Sequence, residues 1–294
     1  MNVITVPPSL DDQTFEQVLE QLVDIPLDAK ILIDARYTTW ASPFGLTALL
    51  TLAQSRAEKP LFNVPEKDDT TSYWSRASFF RYADELFEIH GKVPTAKAAG
   101  EHGNLLEITP VSRSDDVHTV VSRIEKKAAA IITGNLHLES RAVMGFAMTL
   151  SEACQNIVEH AGCGGWVAAQ NYAYRKRLGG RQIVQIAVCD AGVGIRQSLE
   201  SGNRRPLTDR WDDGAALETA VIQGTSRFPD HGRGQGFKGI RGYLNRWEGK
   251  LAVRSGTARM AMVPAWDEDV VRKDRLAFMP GTQLLIMIPE KVDR

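Results

Sequence analysis

The chain has 294 residues, 43% hydrophobic and 24% charged, which is typical of a globular protein with one large or two ordinary domains. Its 35 basic residues nearly balance its 36 acidic ones, so nucleic acid is not expected as the main partner. No apolar run approaches the roughly 18 residues of a membrane span, and the first residues lack a secretory signal pattern. Three cysteines without C-x-x-C spacing indicate buried thiols in a reducing compartment, so we expect a cytoplasmic protein that makes no membrane contact.

Helix and strand patterns alternate along residues 1–90. Residues 14–23 place their apolar side chains on one helical face, and residues 30–34 and 61–64 have the pattern of short buried strands. Residues 72–89 have the periodicity of one helix rich in aromatic side chains. This alternation predicts a small α/β domain.

Ser42 and Pro43 predict the start of a further helix, which runs to about Arg56 with the serine as N-cap. The segments IDARYTTWASPFGLTALL and YWSRASFF make this domain resemble a STAS domain, the fold of anti-sigma-factor antagonists. Those antagonists carry a phosphorylatable residue in an Asp-Ser-Ser/Thr-Gly turn, where this chain aligns Pro43 with the phosphoacceptor. We therefore expect Ser42 to cap the helix and the domain to have a structural or docking role.

Residues 91–104 are rich in glycine, lysine and small residues, lack periodicity and are interpreted as a linker to a second domain at residues 105–294. In that domain, residues 115–132 have the pattern of an amphipathic helix. Strands are expected at residues 105–109, 166–174, 182–189, 250–254 and 283–289. Strand runs with segregated helices predict an α+β sandwich, in which helices cover one face of a mostly antiparallel sheet.

The sequence LSEACQNIVEHAG places Glu152, Asn156 and His160 at four-residue spacing. In an α-helix, side chains four residues apart differ by only about 40° around the helix axis. The three side chains are therefore expected on one stripe, with an apolar face opposite. A carboxylate, an amide and an imidazole in this arrangement could supply a base and a metal ligand. A solvated helix face explains the same pattern.

Asp190 ends an apolar strand and is followed by Gly192 and Gly194 in the sequence DAGVG. A carboxylate at a strand end can accept a hydrogen bond from the exocyclic amine of adenine, in the way that acidic residues read the cytosine amine. The two glycines allow the chain to turn tightly beside a base. An ordinary turn built on Asp-x-Gly is the alternative.

A second glycine-rich segment, GRGQG, contains Gly232, Arg233, Gly234 and Gly236 and precedes a helical pattern. Backbone amides at a helix start bind phosphate oxygens, and Arg233 either reaches such a phosphate or is solvated. The same stretch also contains the pattern G-x-G-x-x-G, which is typical of dinucleotide-binding sites. We reject that interpretation because the preceding residues are polar and form no strand pattern. The segment between residues 195 and 232 is longer than a simple connecting loop usually is, so we expect it to include a mobile lid.

These motifs occur in the order E-x-x-x-N, D-x-G-x-G, G-x-G-x-G and Gly281-Thr282, and residues 105–290 thereby resemble the GHKL (histidine-kinase-like) ATPase superfamily. The resemblance implies an ATP-binding sandwich in which Asn156 ligates Mg²⁺ and Glu152 polarises the attacking group. It also implies that Asp190 reads adenine and that the residues around both glycine segments and Thr282 contact the nucleotide. His160 either contacts a phosphate or has a packing role at the helix end.

Few residues follow Thr282, and no histidine is followed by an acidic residue, so the chain most resembles the anti-sigma-factor serine kinases of the superfamily. That resemblance implies a serine/threonine kinase or ATPase that works in a partner-switching circuit with a protein partner, such as a separate STAS-like regulator. A homodimer is an assembly that it allows. A nucleotide-gated binding module without significant turnover is the alternative hypothesis.

Overall fold

The computed structural model describes residues 1–94, 105–130, 140–202, 211–224 and 236–291. Strands and helices alternate along its first 90 residues, as the sequence pattern predicts. In chain order the elements are β1 (Asn2–Thr5), β2 (Ser9–Leu10), α1 (Phe15–Glu20), β3 (Ile31–Asp34), β4 (Trp40–Ala41), α2 (Pro43–Gln54), β5 (Leu61–Asn63), α3 (Asp68–Arg76), α4 (Phe79–Leu86) and β6 (Glu88–His90). The strands β1, β3, β5 and β6 form a parallel four-stranded sheet in that order, and β2 pairs with β4.

The prediction of a single helix over residues 72–89 is wrong. Helix α3 ends at Arg76, and Ser78 has a left-handed φ of 63°, which no residue inside a right-handed helix adopts. A second helix, α4, then starts at Phe79, and the chain continues into strand β6.

Aromatic packing explains why the helix is broken. The ring centroids of Trp74, Phe79 and Phe87 lie 6.1, 5.7 and 4.9 Å from that of Phe62 on β5. At 100° per residue these three side chains would point in widely different directions from one straight helix. The turn at Ser78 allows all three rings to enter the same core.

The elements after β6 are β7 (Leu105–Val111), α5 (Ser114–Ala130), α6 (Ser140–Asn156), β8 (Gly165–Ala173), α7 (Arg175–Leu178), β9 (Gln182–Asp190), α8 (Gly194–Ser201), α9 (Asp213–Leu217), α10 (Gly236–Arg246), β10 (Lys250–Gly256), β11 (Ala258–Met262), β12 (Arg272–Lys273) and β13 (Met279–Pro289). Two π-helical turns, Ile157–Ala161 and Glu218–Ile222, continue α6 and α9. The strands form a seven-stranded sheet with the order β12-β11-β10-β13-β9-β8-β7, in which every pairing is antiparallel. The prediction of a large antiparallel sheet is confirmed, although β11 and β12 were not predicted.

Both faces of this sheet are covered. Helices α5, α6 and α10 share one core with alternate residues of the strands, as a sandwich with helices on one face predicts. The opposite face packs against the first 90 residues, chiefly through α2, which contacts β8, β9 and β13. The prediction of helices on one face therefore describes only half of the sheet's surroundings.

Helix α2 is suited to this position because its residues from Pro43 to Ala53 are all buried. Its sequence, PFGLTALLTLAQ, has no charged side chain, and a helix that is apolar on all sides packs between layers. Ser42 caps the helix as predicted, since its Oγ accepts a hydrogen bond from the amide of Gly45 at 3.1 Å. Among the described helices, none is long and apolar enough to cross a membrane.

Candidate functional site

The polar stripe predicted on helix α6 ends earlier than the sequence spacing implies. The α-helix stops at Asn156 and continues as the π-helical turn Ile157–Ala161, which Gly162 closes with a φ of 72°. A π-helical turn contains more residues than an α-helical one, so four-residue spacing does not extend the stripe through it. The side chain of His160 lies outside the described part of the structure.

The two faces of the helix end are nevertheless distributed as predicted. Leu150, Cys154 and Ile157 are fully buried against the sheet, whereas Glu152 is exposed and Asn156 is half-buried. Burial raises the pKa of the Cys154 thiol to about 12, so it acts as an apolar side chain rather than as a nucleophile.

The turn at residues 190–194, which follows β9, is joined to the end of this helix. The amide of Val193 donates a hydrogen bond to the carbonyl oxygen of Ala161 at 3.1 Å. Gly192 lies so close to the helix end that a Cβ at this position would be 2.1 Å from the same oxygen. Gly192 is therefore required by the contact of two backbones, while Gly194, with a φ of 75°, provides the turn into α8.

Asp190 lies inside this turn, with only 6% of its surface exposed. Its Oδ1 accepts hydrogen bonds from the amides of Gly192 at 2.9 Å and Thr282 at 3.3 Å. Within the described residues no donor reaches Oδ2. Burial raises the pKa of Asp190 to about 6, against the opposing effect of the two amides. The carboxyl group is thus held in place by one oxygen and has the other available as an acceptor.

Strand β13, which pairs with β9, brings Thr282 to this carboxyl group. Gly281 has a φ of 76°, and a Cβ there would be 2.0 Å from the carbonyl oxygen of Asp190. Ser255, which was not predicted, donates through Oγ to the carbonyl of Gly281 at 2.8 Å and accepts from the amide of Ile195 at 2.9 Å. Its hydroxyl therefore ties β13 to the start of α8. No sequence motif marks Ser255, because its role depends on strand pairing.

A cavity of about 440 Å³ lies against the 190–194 turn and has a volume in the range of small-molecule sites. Of the residues predicted from the sequence, Gly192 and Gly194 line it, whereas Glu152, Asn156 and Asp190 do not. Its walls combine glycine backbone and two exposed apolar side chains with several charged and polar side chains. The glycines and exposed apolar residues are Gly192, Gly194, Gly256, Gly281, Val193 and Phe278, and the other lining residues are Arg196, Gln197, Glu200, Asp213, Ser255, Met279 and Pro280.

The second glycine segment is described only at its end. Gly232, Arg233 and Gly234 lie outside the described residues, as do residues 203–210 and 225–231 of the predicted lid. Gly236 is the first residue of α10, so the prediction that the glycine segment precedes a helix is confirmed. In the described parts of the chain, no group of three or more His, Cys, Asp or Glu side chains is placed to hold a metal ion.

Comparison with known proteins adds no assignment to this geometry. No protein-family model matches the chain, and no curated protein matches it either.

Proposed function

We propose that the chain binds MgATP beside the 190–194 turn and acts through a protein partner, as its resemblance to the GHKL anti-sigma-factor kinases implies. In this proposal Asp190 accepts a hydrogen bond from the adenine amine. Asn156 contributes an oxygen ligand to Mg²⁺, and Glu152 orients the attacking group. The residues assigned to the nucleotide are His160, Gly192, Gly194, Gly232, Arg233, Gly234, Gly236 and Thr282.

The observation that carries the proposal is the convergence of three distant segments on Asp190. The π-helical turn that ends at Ala161, the turn at Gly192 and Thr282 on β13 all lie within hydrogen-bonding distance of one another or of this carboxyl group. A buried carboxylate with one oxygen fixed by two amides is pre-organised, because no side-chain rotation is needed when it accepts a hydrogen bond from a ligand.

The residues present fit a magnesium nucleotide. Mg²⁺ bound to a nucleotide retains several waters and needs only one or two protein oxygens, so a half-buried amide such as Asn156 suffices without a cluster of acidic ligands. When bound, MgATP would supply the transferable phosphoryl group. The task left to this chain is to hold the adenine, to exclude water and to position an attacking hydroxyl or water near Glu152.

A nucleotide-gated binding module is the second candidate function. The exposed position of Glu152 favours it, because a solvated carboxylate is a poorer general base than one that is held in a closed site. In this alternative, ATP changes partner affinity through the segment after α8 and is not turned over.

Incubation of the full chain with Mg²⁺ and γ-labelled ATP separates these possibilities. Free phosphate indicates an ATPase, label on an added STAS-like protein indicates a kinase, and calorimetric binding without either product indicates the binding module. The absence of measurable binding at millimolar MgATP would refute the proposal as a whole.

A further inference from the structure

Three basic side chains are buried on the sheet face that packs against the first 90 residues. Lys250, Arg254 and Arg259 are each only 2–3% exposed. A buried cation is strongly destabilising unless an acidic group accompanies it. The acidic partners come from the amino-terminal region and from the loop before β12: Asp12, Glu16, Asp267 and Asp269.

Two of the cations share their acidic partners. Lys250 Nζ lies 2.7 Å from Asp267 and 2.8 Å from Asp269, while Arg259 Nη2 lies 2.8 Å from Asp12 and 2.6 Å from Asp269. These cations hold the pKa of Asp269 well below its usual value although burial raises it. Because Asp269 contacts both cations, neither depends on Asp12 alone.

Arg254 has different contacts. Its only acidic partner in the described structure is Glu16 of α1, which receives Nε at 2.8 Å and Nη2 at 3.2 Å. The guanidinium group also donates to two backbone carbonyls, that of Gly256 through Nη1 at 3.0 Å and that of Ala277 through Nη2. The Arg254 side chain thus joins the amino-terminal region to both ends of the segment that connects β10 with β13.

The Ala277 carbonyl lies just before the residues that hold Asp190. We define residues 277–282 as the β13 entry segment. Its later part supplies the Thr282 amide to Asp190 Oδ1, and its Gly281 carbonyl is held by Ser255, the residue after Arg254. Gln283 completes the connection by donating to the carbonyls of Asp190 at 3.1 Å and Pro280 at 2.9 Å.

We infer that Glu16 and Arg254 are a positioning pair: the amino-terminal region uses this ion pair to hold the β13 entry segment against Asp190, and so controls the acceptor geometry of that carboxyl group. The planar guanidinium group of Arg254 can donate to both carbonyls only while its contact with Glu16 fixes the orientation of that plane. The consequence for nucleotide affinity rests on the proposed function, whereas the consequence for the segment itself does not.

The test compares Glu16→Gln with Asp12→Asn in the full chain. Each variant removes one carboxylate charge from the same buried interface, but only Glu16 contacts the residue that holds the β13 entry segment. In ligand-free protein, amide hydrogen exchange at residues 277–282 should accelerate about tenfold or more in Glu16→Gln and remain near the wild-type rate in Asp12→Asn. Equal acceleration in both variants, or none in Glu16→Gln, would overturn the inference.

Binding of MgADP is the second measurement. Its dissociation constant should rise about tenfold in Glu16→Gln, a typical size for coupling between sites, and change little in Asp12→Asn. If wild-type protein binds no nucleotide, the proposed function fails, while the exchange comparison still decides whether the pair positions the segment.

Arg254→Lys provides a second variant in case Glu16→Gln does not fold. Lysine retains the charge next to Glu16 but lacks the planar fork that reaches two carbonyls, so it should also accelerate exchange at residues 277–282. Wild-type exchange in Arg254→Lys would contradict the positioning role.

Discussion

The backbone amide of Val193 is hydrogen-bonded to the carbonyl oxygen of Ala161 at 3.1 Å, and this bond joins the turn after β9 to the end of the α6 helix. The turn after β9 and the π-helical turn that continues α6 therefore meet through main-chain atoms. Such a contact depends on close approach of the two backbones, which makes the intervening glycine the most sensitive position in the turn.

Gly192→Ala should separate the turn from the helix. The new Cβ would lie 2.1 Å from the Ala161 carbonyl oxygen, so one backbone must move, and we expect a loss of about 2–4 kcal/mol in the free energy of unfolding, at the high end for single substitutions. Gly239→Ala is the matched control, because no atom lies within 4 Å of its Cβ and it is inside α10. Urea denaturation should show that the control is unchanged or slightly stabilised.

Asp190→Asn should abolish nucleotide binding and leave the fold intact. The amide oxygen can still accept from Gly192 and Thr282, but the amide nitrogen would present a donor to the adenine amine, which is also a donor. Titration calorimetry with MgADP measures the effect, with Asp115→Asn on the exposed surface as the control. Unchanged affinity in Asp190→Asn would remove the adenine assignment.

Asp190 also predicts opposite pH dependences for stability and binding. Its pKa is raised from 3.8 to about 6 in the folded state, so the folded protein binds this proton more tightly than the unfolded chain does. The contribution of Asp190 to stability should therefore fall by about 3 kcal/mol as pH rises from about 4 to about 6, then level off. Nucleotide affinity should rise over the same interval, because only the ionised carboxylate accepts at both oxygens.

Comparison with Asp190→Asn isolates this group from the other carboxylates of the chain. The difference in unfolding free energy between wild type and variant should change across pH 4–6 and be constant above that interval. A difference that does not vary with pH would show that Asp190 has an ordinary pKa.

Glu152→Ala should retain MgADP binding and reduce turnover by at least about 100-fold, the usual contribution of a positioned base. Gln155→Ala is a control on the same helix, since Gln155 bonds only to Glu159 in the described structure. Steady-state phosphate release measures both variants. Wild-type turnover in Glu152→Ala would place this residue on a solvated face and favour the nucleotide-gated binding module.

Ser42→Ala should cost about 1 kcal/mol of stability through the lost N-cap. Ser42 is fully buried and its Oγ already accepts from the Gly45 amide, so it is not accessible for phosphorylation in the folded protein. Mass spectrometry after incubation with MgATP tests this second part. Stoichiometric phosphate on Ser42 would show instead that the chain modifies its own amino-terminal region.

The elements that could be predicted from sequence are those with strong local patterns. The cap at Ser42, the strand that ends at Asp190 and the buried face of α6 all follow from spacing within a few residues, because capping, strand patterns and amphipathicity are local properties. The predictions that were wrong are those in which tertiary packing overrides the local sequence pattern. The helix at residues 72–89 breaks to bring its rings together, and the stripe beyond Asn156 ends in a π-helical turn.

The surroundings of Asp190 depend on contacts between distant parts of the chain. The local sequence shows that a carboxylate ends a strand before two glycines, but the approach of Ala161, the bond from Ser255 and the Glu16–Arg254 pair join residues that are far apart along the chain. Periodicity reports that a face is buried, not which segment buries it. The all-apolar helix α2 illustrates this limit, because its composition predicts burial on every side while only the folded chain shows that β9 is its neighbour.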